Sequence, residues 1–296
     1  MHRAPEAVWD DPPVGDRVAF VLGGGGKLGA AEVGMLRALG EAGIAPDLVV
    51  GTSIGAVNGV AVAADPTPAG TEHLRAMWTQ VDESGIFGGS FVGRLRHLAR
   101  TRTSIHSIEP LRRLLERALP QRDFAELAVP FQCVAACIET SDAHWFDRGD
   151  LLTAVLASCA VPGLLPAVRI GDRHYLDGGI VESIPVQRAL DLGADEVYVL
   201  QVGRIEQPLR PPTRPHEVAM VAFEIARRRS FAAAMAALPD GVRVHVLPTG
   251  GTGPRFNDLR QLRYRDFSDI DERIDQAHDA TAEYLSDPDP ARAPGT

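Results

Sequence analysis

The chain is poor in cysteine and in positive charge, and each shortage excludes a class of protein. Its three cysteines, Cys133, Cys137 and Cys159, are an odd number, form no C-x-x-C and lie in apolar segments. They read as buried reduced thiols, so neither a disulfide scaffold nor structural zinc is expected, and a cytoplasmic location is. The 30 Lys and Arg are outnumbered by 39 Asp and Glu, giving a net charge of −9, which argues against a general nucleic-acid binder. No apolar run approaches the ~20 residues of a membrane-spanning helix. Met1–Asp16 is polar and proline-containing, without the apolar core of a signal peptide. No internal repeat is found. What the chain does have is apolar residues, 45% of 296, enough for the large core of a layered α/β protein.

Strand-type and helix-type segments alternate. Arg17–Leu22, Asp47–Val50, Pro130–Ile138, Glu196–Val202 and Val242–Leu247 read as strands. Helices are expected through Ala42 with Gly43 as stop, after Asp150 as cap, over Ile108–Leu119, over Pro185–Leu192 and over Glu217–Leu238. This alternation predicts a mostly parallel sheet with helices on both faces, and active groups at the carboxyl ends of its strands.

Gly51-Thr52-Ser53-Ile54-Gly55 reads G-x-S-x-G at the point where the Asp47–Val50 strand gives way to an apolar helical run, Ala56–Val62. A serine at such a turn is pushed out of the sheet, and its hydroxyl is placed to attack a carbonyl. Glycines on both sides remove side chains that would collide there. The helix that starts at the serine brings its partial positive charge to the same point.

Upstream, the Arg17–Leu22 strand runs into Gly23-Gly24-Gly25-Gly26-Lys27-Leu28-Gly29. Successive glycines let backbone N–H groups converge on a small anionic volume, which suits either a phosphate or an oxyanion. Gly24 to Gly29 also fits G-x-G-x-x-G, so dinucleotide binding is an alternative. Against it, the acidic residue belongs at the end of the second strand, where the serine turn stands, whereas Asp47 is at that strand's start. A P-loop is excluded, since no G-K-[ST] follows. Downstream, Arg169–Asp172 reads as a hairpin turn feeding a strand that ends at Asp177-Gly178-Gly179, which by itself is also an ordinary Asp-Gly turn.

Taken together, Gly23–Gly29, Gly51–Gly55 and Asp177–Gly179 resemble, in this order, the signature of the patatin-like phospholipase family. That signature is a glycine-rich oxyanion loop, a G-x-S-x-G elbow and a distant D-G-[GA] turn. Ala157–Pro166 resembles the family's small-residue, proline-containing segment. The resemblance runs from Val18 to Val202 and more loosely to Leu285. It implies a three-layer α/β/α fold with a mostly parallel central sheet over 17–285, between a flexible segment 1–16 and a disordered tail 286–296. It also implies a Ser-Asp dyad. Ser53 is then the nucleophile, Asp177 the base and Gly24, Gly25 and Gly26 the oxyanion donors, with Gly29, Gly51, Gly55, Gly178 and Gly179 supporting the motifs. The substrate would be a lipid or other acyl ester, cleaved through an acyl-Ser53 intermediate without cofactor or metal. One departure stands out: the family usually has Arg or Lys just before the last loop glycine, and here that position is Leu28, with Lys27 one place earlier. A catalytically silent lipid- or acyl-binding protein of the same fold is the alternative that Leu28 suggests.

A Ser-His-Asp triad is the rival within the same chemistry. His245 lies inside an alternating strand and His174 on the hairpin, so both read as structural or surface residues. Ser84–Ser107 interleaves glycines, arginines and apolar residues, as either a flap or amphipathic stretch meeting a membrane surface or a plain connection. Arg227-Arg228-Arg229 reads as a solvated helix face.

Overall fold

The computed structural model describes residues 16–84, 103–202, 208–213, 215–251 and 269–289. The chain alternates β1 (Val18–Leu22), α1 (Ala30–Glu41), β2 (Leu48–Thr52), α2 (Ile54–Ala64) and α3 (Pro68–Ser84), then α4 (Glu109–Ala118). It continues through β3 (Phe131–Cys137), β4 (Asp142–Phe146), α5 (Leu151–Ser158), β5 (Val168–Ile170) and β6 (Arg173–Asp177). It closes with α6 (Val186–Asp191), β7 (Glu196–Leu200), α7 (Pro215–Ala236), β8 (Arg243–Val246) and α8 (Ile270–Ser286).

Alternate residues of β1 enter different cores, which is what makes the molecule layered. Phe20 and Leu22 pack with Met35 and Leu39 of α1, Val57 and Val60 of α2 and Ile274 of α8. Ala19 and Val21 pack on the other face with Val186 and Ala189 of α6 and Phe231 of α7. The result is a central sheet between two helical layers.

The strand order is β5-β6-β3-β2-β1-β7-β8, with β4 also paired to β3. β3-β2, β2-β1, β1-β7 and β7-β8 are parallel, whereas β4, β5 and β6 enter antiparallel. From β1 the chain winds to β2 on one side and returns to β7 on the other, so the carboxyl ends of β1 and β7 form a topological switch point, the place where open α/β sheets bind ligands. The glycine loop leaves β1 there, with Gly23 N–H donating to Leu200 O at 2.9 Å.

β3 explains how distant parts of the chain meet. β2 pairs with its Phe131–Val134 stretch and β6 with Ala135–Cys137, while β4 covers Cys133–Cys137. Since β4 overlaps both, it holds one edge, and β2 and β6 share the other. They point at each other along it, Thr52 opposite Val134 and Asp177 opposite Ala135.

Local expectations meet the structure closely in most elements. Asp150 Oδ1 caps α5 by accepting from Thr153 N–H at 2.7 Å, and Gly171 turns the β5–β6 hairpin at φ +63°. Two expected boundaries differ. Ser286, expected to begin the tail, closes α8; Asp16 accepts from Arg243 Nη2 at 2.7 Å; and the remaining expectations for 1–15 and 290–296 lie outside the described residues. In the arginine run, a helical step of about 100° per residue sends three consecutive side chains in different directions. Arg227 is therefore buried and paired with Glu224 at 3.1 Å, while Arg229 is exposed. Most of the expected Ser84–Ser107 flap lies outside the described residues; at its described end, Ile105 N–H and His106 N–H bond the carbonyls of Gly163 and Leu164.

Candidate active site

Ser53 stands between β2 and α2 with φ 55° and ψ −121°. For a residue with a Cβ this conformation is strained by about 1–3 kcal/mol and persists only where neighbours enforce it. Close backbone approach makes the turn possible. A Cβ on Gly55 would lie 2.3 Å from Leu22 O, so only glycine lets α2 start against the end of β1. Similarly, a Cβ on Gly178 would lie 2.2 Å from Val134 O, where the chain leaves β6 across β3.

The abutting ends of β2 and β6 bring the serine to the carboxylate. Ser53 Oγ donates to Asp177 Oδ2 at 2.5 Å, and Gly179 N–H donates to Asp177 Oδ1 at 2.8 Å. Asp177 is only 6% exposed. Burial pushes its pKa up to about 6, against the lowering effect of the bonds from Ser53 and Gly179. Burial therefore outweighs the donors, and the carboxylate becomes a better base than a free aspartate.

The segment after Asp177 fastens the rest of the site. Thr52 Oγ1 donates to Glu182 O at 2.7 Å, and Gly24 N–H donates to Ser183 O at 2.9 Å. One short stretch thus touches the serine strand and the glycine loop. Of the three glycines assigned to oxyanion binding, Gly24 has its N–H occupied by this bond. Gly25 and Gly26 follow, Gly26 at φ +58°, and the loop closes in a single helical turn with Leu28 N–H bonded to Gly25 O at 3.3 Å. Leu28 packs, partly buried, against the core, so an apolar anchor stands where the resemblance places a cation.

A buried polar network lies behind the loop. Asn58 Nδ2 donates to Gly29 O at 2.9 Å and to Glu32 Oε2 at 2.7 Å, and Trp78 Nε1 donates to Asn58 Oδ1 at 2.9 Å. Glu32 is fully buried, which raises its pKa well above the usual carboxylate range despite the bonds from Asn58 and Gly23. The network ties α1, α2, α3 and the end of the glycine loop together.

Neither histidine considered in the sequence contacts the serine–carboxylate pair. His245 Nδ1 lies 3.0 Å from Tyr284 OH and its ring stacks on Tyr198 at 4.7 Å. His174 Nδ1 pairs with Glu139 at 2.8 Å. Asp47 accepts from Val18 N–H at 2.9 Å at the amino end of β1, the opposite end from the glycine loop, so it is not placed as the ribose-binding acid of G-x-G-x-x-G. Burial pushes the thiols of Cys133 and Cys159 up. Among the described residues, no cluster of three His, Cys, Asp or Glu is placed to hold a metal ion.

The sequence marks Cys159 only as a buried thiol, and singles out none of Thr52, Ser158 and Ser183 individually. Ser158 and Cys159 carried a signal in lying within the small-residue segment Ala157–Pro166. Thr52 and Ser183 carried none beyond their neighbours.

An α/β sheet that presents a strained serine, a buried aspartate and a glycine loop at its switch point defines the class. The chain belongs to the patatin-like phospholipase family, whose model matches residues 20–190. It is 34% identical over 197 residues to a patatin-like phospholipase domain-containing protein of Caenorhabditis elegans, covering 65% of this chain and 14% of that protein. It is 30% identical over 192 residues to a protein named lysophospholipase of Aspergillus terreus, covering 65% of this chain and 12% of that one. The chain thus spans only a small part of the length of these curated relatives. Among solved structures, VipD from Legionella pneumophila aligns with a TM-score of 0.46 at 15% identity, covering 92% of this chain and 67% of that one.

Proposed function

We propose that this protein hydrolyses acyl esters of lipids with Ser53 as nucleophile and Asp177 as base, the acyl-hydrolase unit being residues 17–285. The observation that carries the reading is the 2.5 Å hydrogen bond from Ser53 Oγ to Asp177 Oδ2 at a strained, largely buried turn. As Oγ attacks the ester carbonyl, its proton passes to Asp177. Gly25 and Gly26 offer N–H groups to the tetrahedral oxyanion, and the start of α2 adds its partial positive charge. The proton on Asp177 then goes to the departing alcohol, leaving acyl-Ser53. Asp177 next takes a proton from water, whose oxygen attacks the acyl carbon, and the proton returns to Ser53 as the fatty acid leaves.

The family and the relatives named phospholipase and lysophospholipase support a lipid substrate. So does the edge of the Asp177 turn, where Ile180, one residue beyond Gly179, is 42% exposed. Among the described residues no helix is long and apolar enough to cross a membrane, and the contact with a lipid surface in this reading is a peripheral one. The test is release of fatty acid from lysophosphatidylcholine and from phosphatidylcholine vesicles by wild type, Ser53→Ala and Asp177→Asn. Release by wild type alone supports the reading; equal release by Ser53→Ala contradicts it.

A further inference from the structure

Three consecutive residues at the C-terminal end of α5 hold the backbone of both Ser53 and Asp177. Ser53 N–H donates to Ser158 Oγ at 2.9 Å, Cys159 Sγ donates to Ser53 O at 3.2 Å, and Asp177 N–H donates to Ala160 O at 2.9 Å. Ser158 and Ala160 are completely buried, so this clamp lies beneath the site and does not line it.

The three bonds differ in importance. Ser53 O also accepts from Ala56 N–H at 2.9 Å and Val57 N–H at 3.3 Å, so the thiol is one donor of three. Ser53 N–H precedes the first turn of α2, where no carbonyl of that helix can receive it. Ser158 Oγ fills that role and fixes one side of the strained peptide. If φ relaxed toward the ordinary negative region, the Cα–Cβ bond would swing and carry Oγ away from Asp177.

We propose that Ser158 is a positioning residue of the reaction, holding Ser53 in the strained conformation that aims its hydroxyl at Asp177. The proposal rests on the Ser53–Asp177 reading above. Because Ser158 is completely buried beneath the site, its loss lowers the rate of acyl-enzyme formation and leaves substrate affinity alone. Asp177 keeps its own backbone bond to Ala160 but loses the lowering effect of the Ser53 hydroxyl, so the midpoint of the pH dependence moves upward.

The experiment compares wild type, Ser158→Ala, Ser158→Cys, Ser53→Ala and Asp177→Asn. It reads p-nitrophenyl butyrate hydrolysis and the rate of fluorophosphonate labelling, both per folded molecule by circular dichroism. Ser158→Ala is expected to lose about a hundredfold in kcat and labelling rate, the scale set by small misplacements of a reacting group, with KM unchanged and the acid-limb midpoint shifted upward. Ser158→Cys keeps the volume but offers a weak sulfur acceptor; it is expected to fall in the same direction and carries the readout should Ser158→Ala not fold. A folded Ser158 variant that labels at the wild-type rate overturns the proposal, as does a loss confined to thermal stability. Activity surviving in Ser53→Ala would instead overturn the underlying reading, so the two failures are distinguishable.

Discussion

Thr52 and Asp177 pair with adjacent residues of one strand edge, Val134 and Ala135, from strands that run toward each other. Ser53 and Asp177, 124 positions apart, thereby meet through sheet register. The same geometry buries the carboxylate that accepts the proton in the proposed reaction.

That burial sets a pH dependence. With a pKa of about 6, Asp177 is protonated and unable to act as base below that pH. The kcat/KM of ester hydrolysis, measured from pH 4.5 to 8.5, is expected to rise through a midpoint near 6 and then level off. A midpoint near 4 would mean that the carboxylate behaves as a solvated one.

The same shift has a cost in stability, with a defined sign. The folded-state pKa is raised, so the folded protein holds a proton that the unfolded chain has released between about pH 4 and 6. Stability from this group is therefore present at low pH and lost as pH rises through 6. Asp177→Asn removes that loss. Its unfolding free energy relative to wild type is expected to improve by about 2–3 kcal/mol between pH 4 and pH 7, as measured by urea denaturation. A pH-independent difference would contradict the assigned burial.

Glu32 follows the same sign, its pKa being raised by burial. Glu32→Gln keeps the shape, accepts from Asn58 and is neutral at every pH, so it is expected to hold stability as pH rises, where wild type loses it. Glu32→Ala leaves an Asn58 donor unpaired and a cavity, and is expected to cost about 2–4 kcal/mol. Melting temperatures of the three proteins at pH 6 and pH 9 separate these outcomes.

Gly178→Ala tests the backbone contact that lets Asp177 end its strand. The new Cβ meets Val134 O at 2.2 Å, and backbone on both sides leaves little to give way. Loss of labelling together with a melting temperature several degrees lower, the scale of about 1–3 kcal/mol of overpacking, is expected. Wild-type labelling in this variant would show that the crossing relaxes freely.

Local signals made much of this legible in the sequence. A strand, a glycine-flanked serine and an apolar helix are contiguous, so the Ser53 turn is visible without tertiary information. The Asp150 cap and the hairpin ahead of Asp177 are local for the same reason. His245, inside an alternating strand pattern, and His174, on the hairpin, read as structural or surface residues, and each has a partner other than the serine. The joint between β2 and β6 was not legible, because register along β3 depends on three strands from separate parts of the chain. Nor was the use of Gly24 N–H, which depends on Ser183 arriving from far downstream. Two signals were present but unread: Asn58 interrupts a wholly apolar helix, and Glu32 lies in a helix buried on nearly every side. A polar residue in such a setting conflicts with its pattern and points to a buried network.

The most direct test of the central claim is fluorophosphonate labelling of the folded wild type, with the modified peptide located by mass spectrometry and with Ser53→Ala and Asp177→Asn beside it. The account predicts a single adduct on Ser53, none in Ser53→Ala and at least a thousandfold slower labelling in Asp177→Asn, about the loss expected when one member of a catalytic unit is removed. An adduct on another residue, or labelling of Asp177→Asn at the wild-type rate, would contradict it.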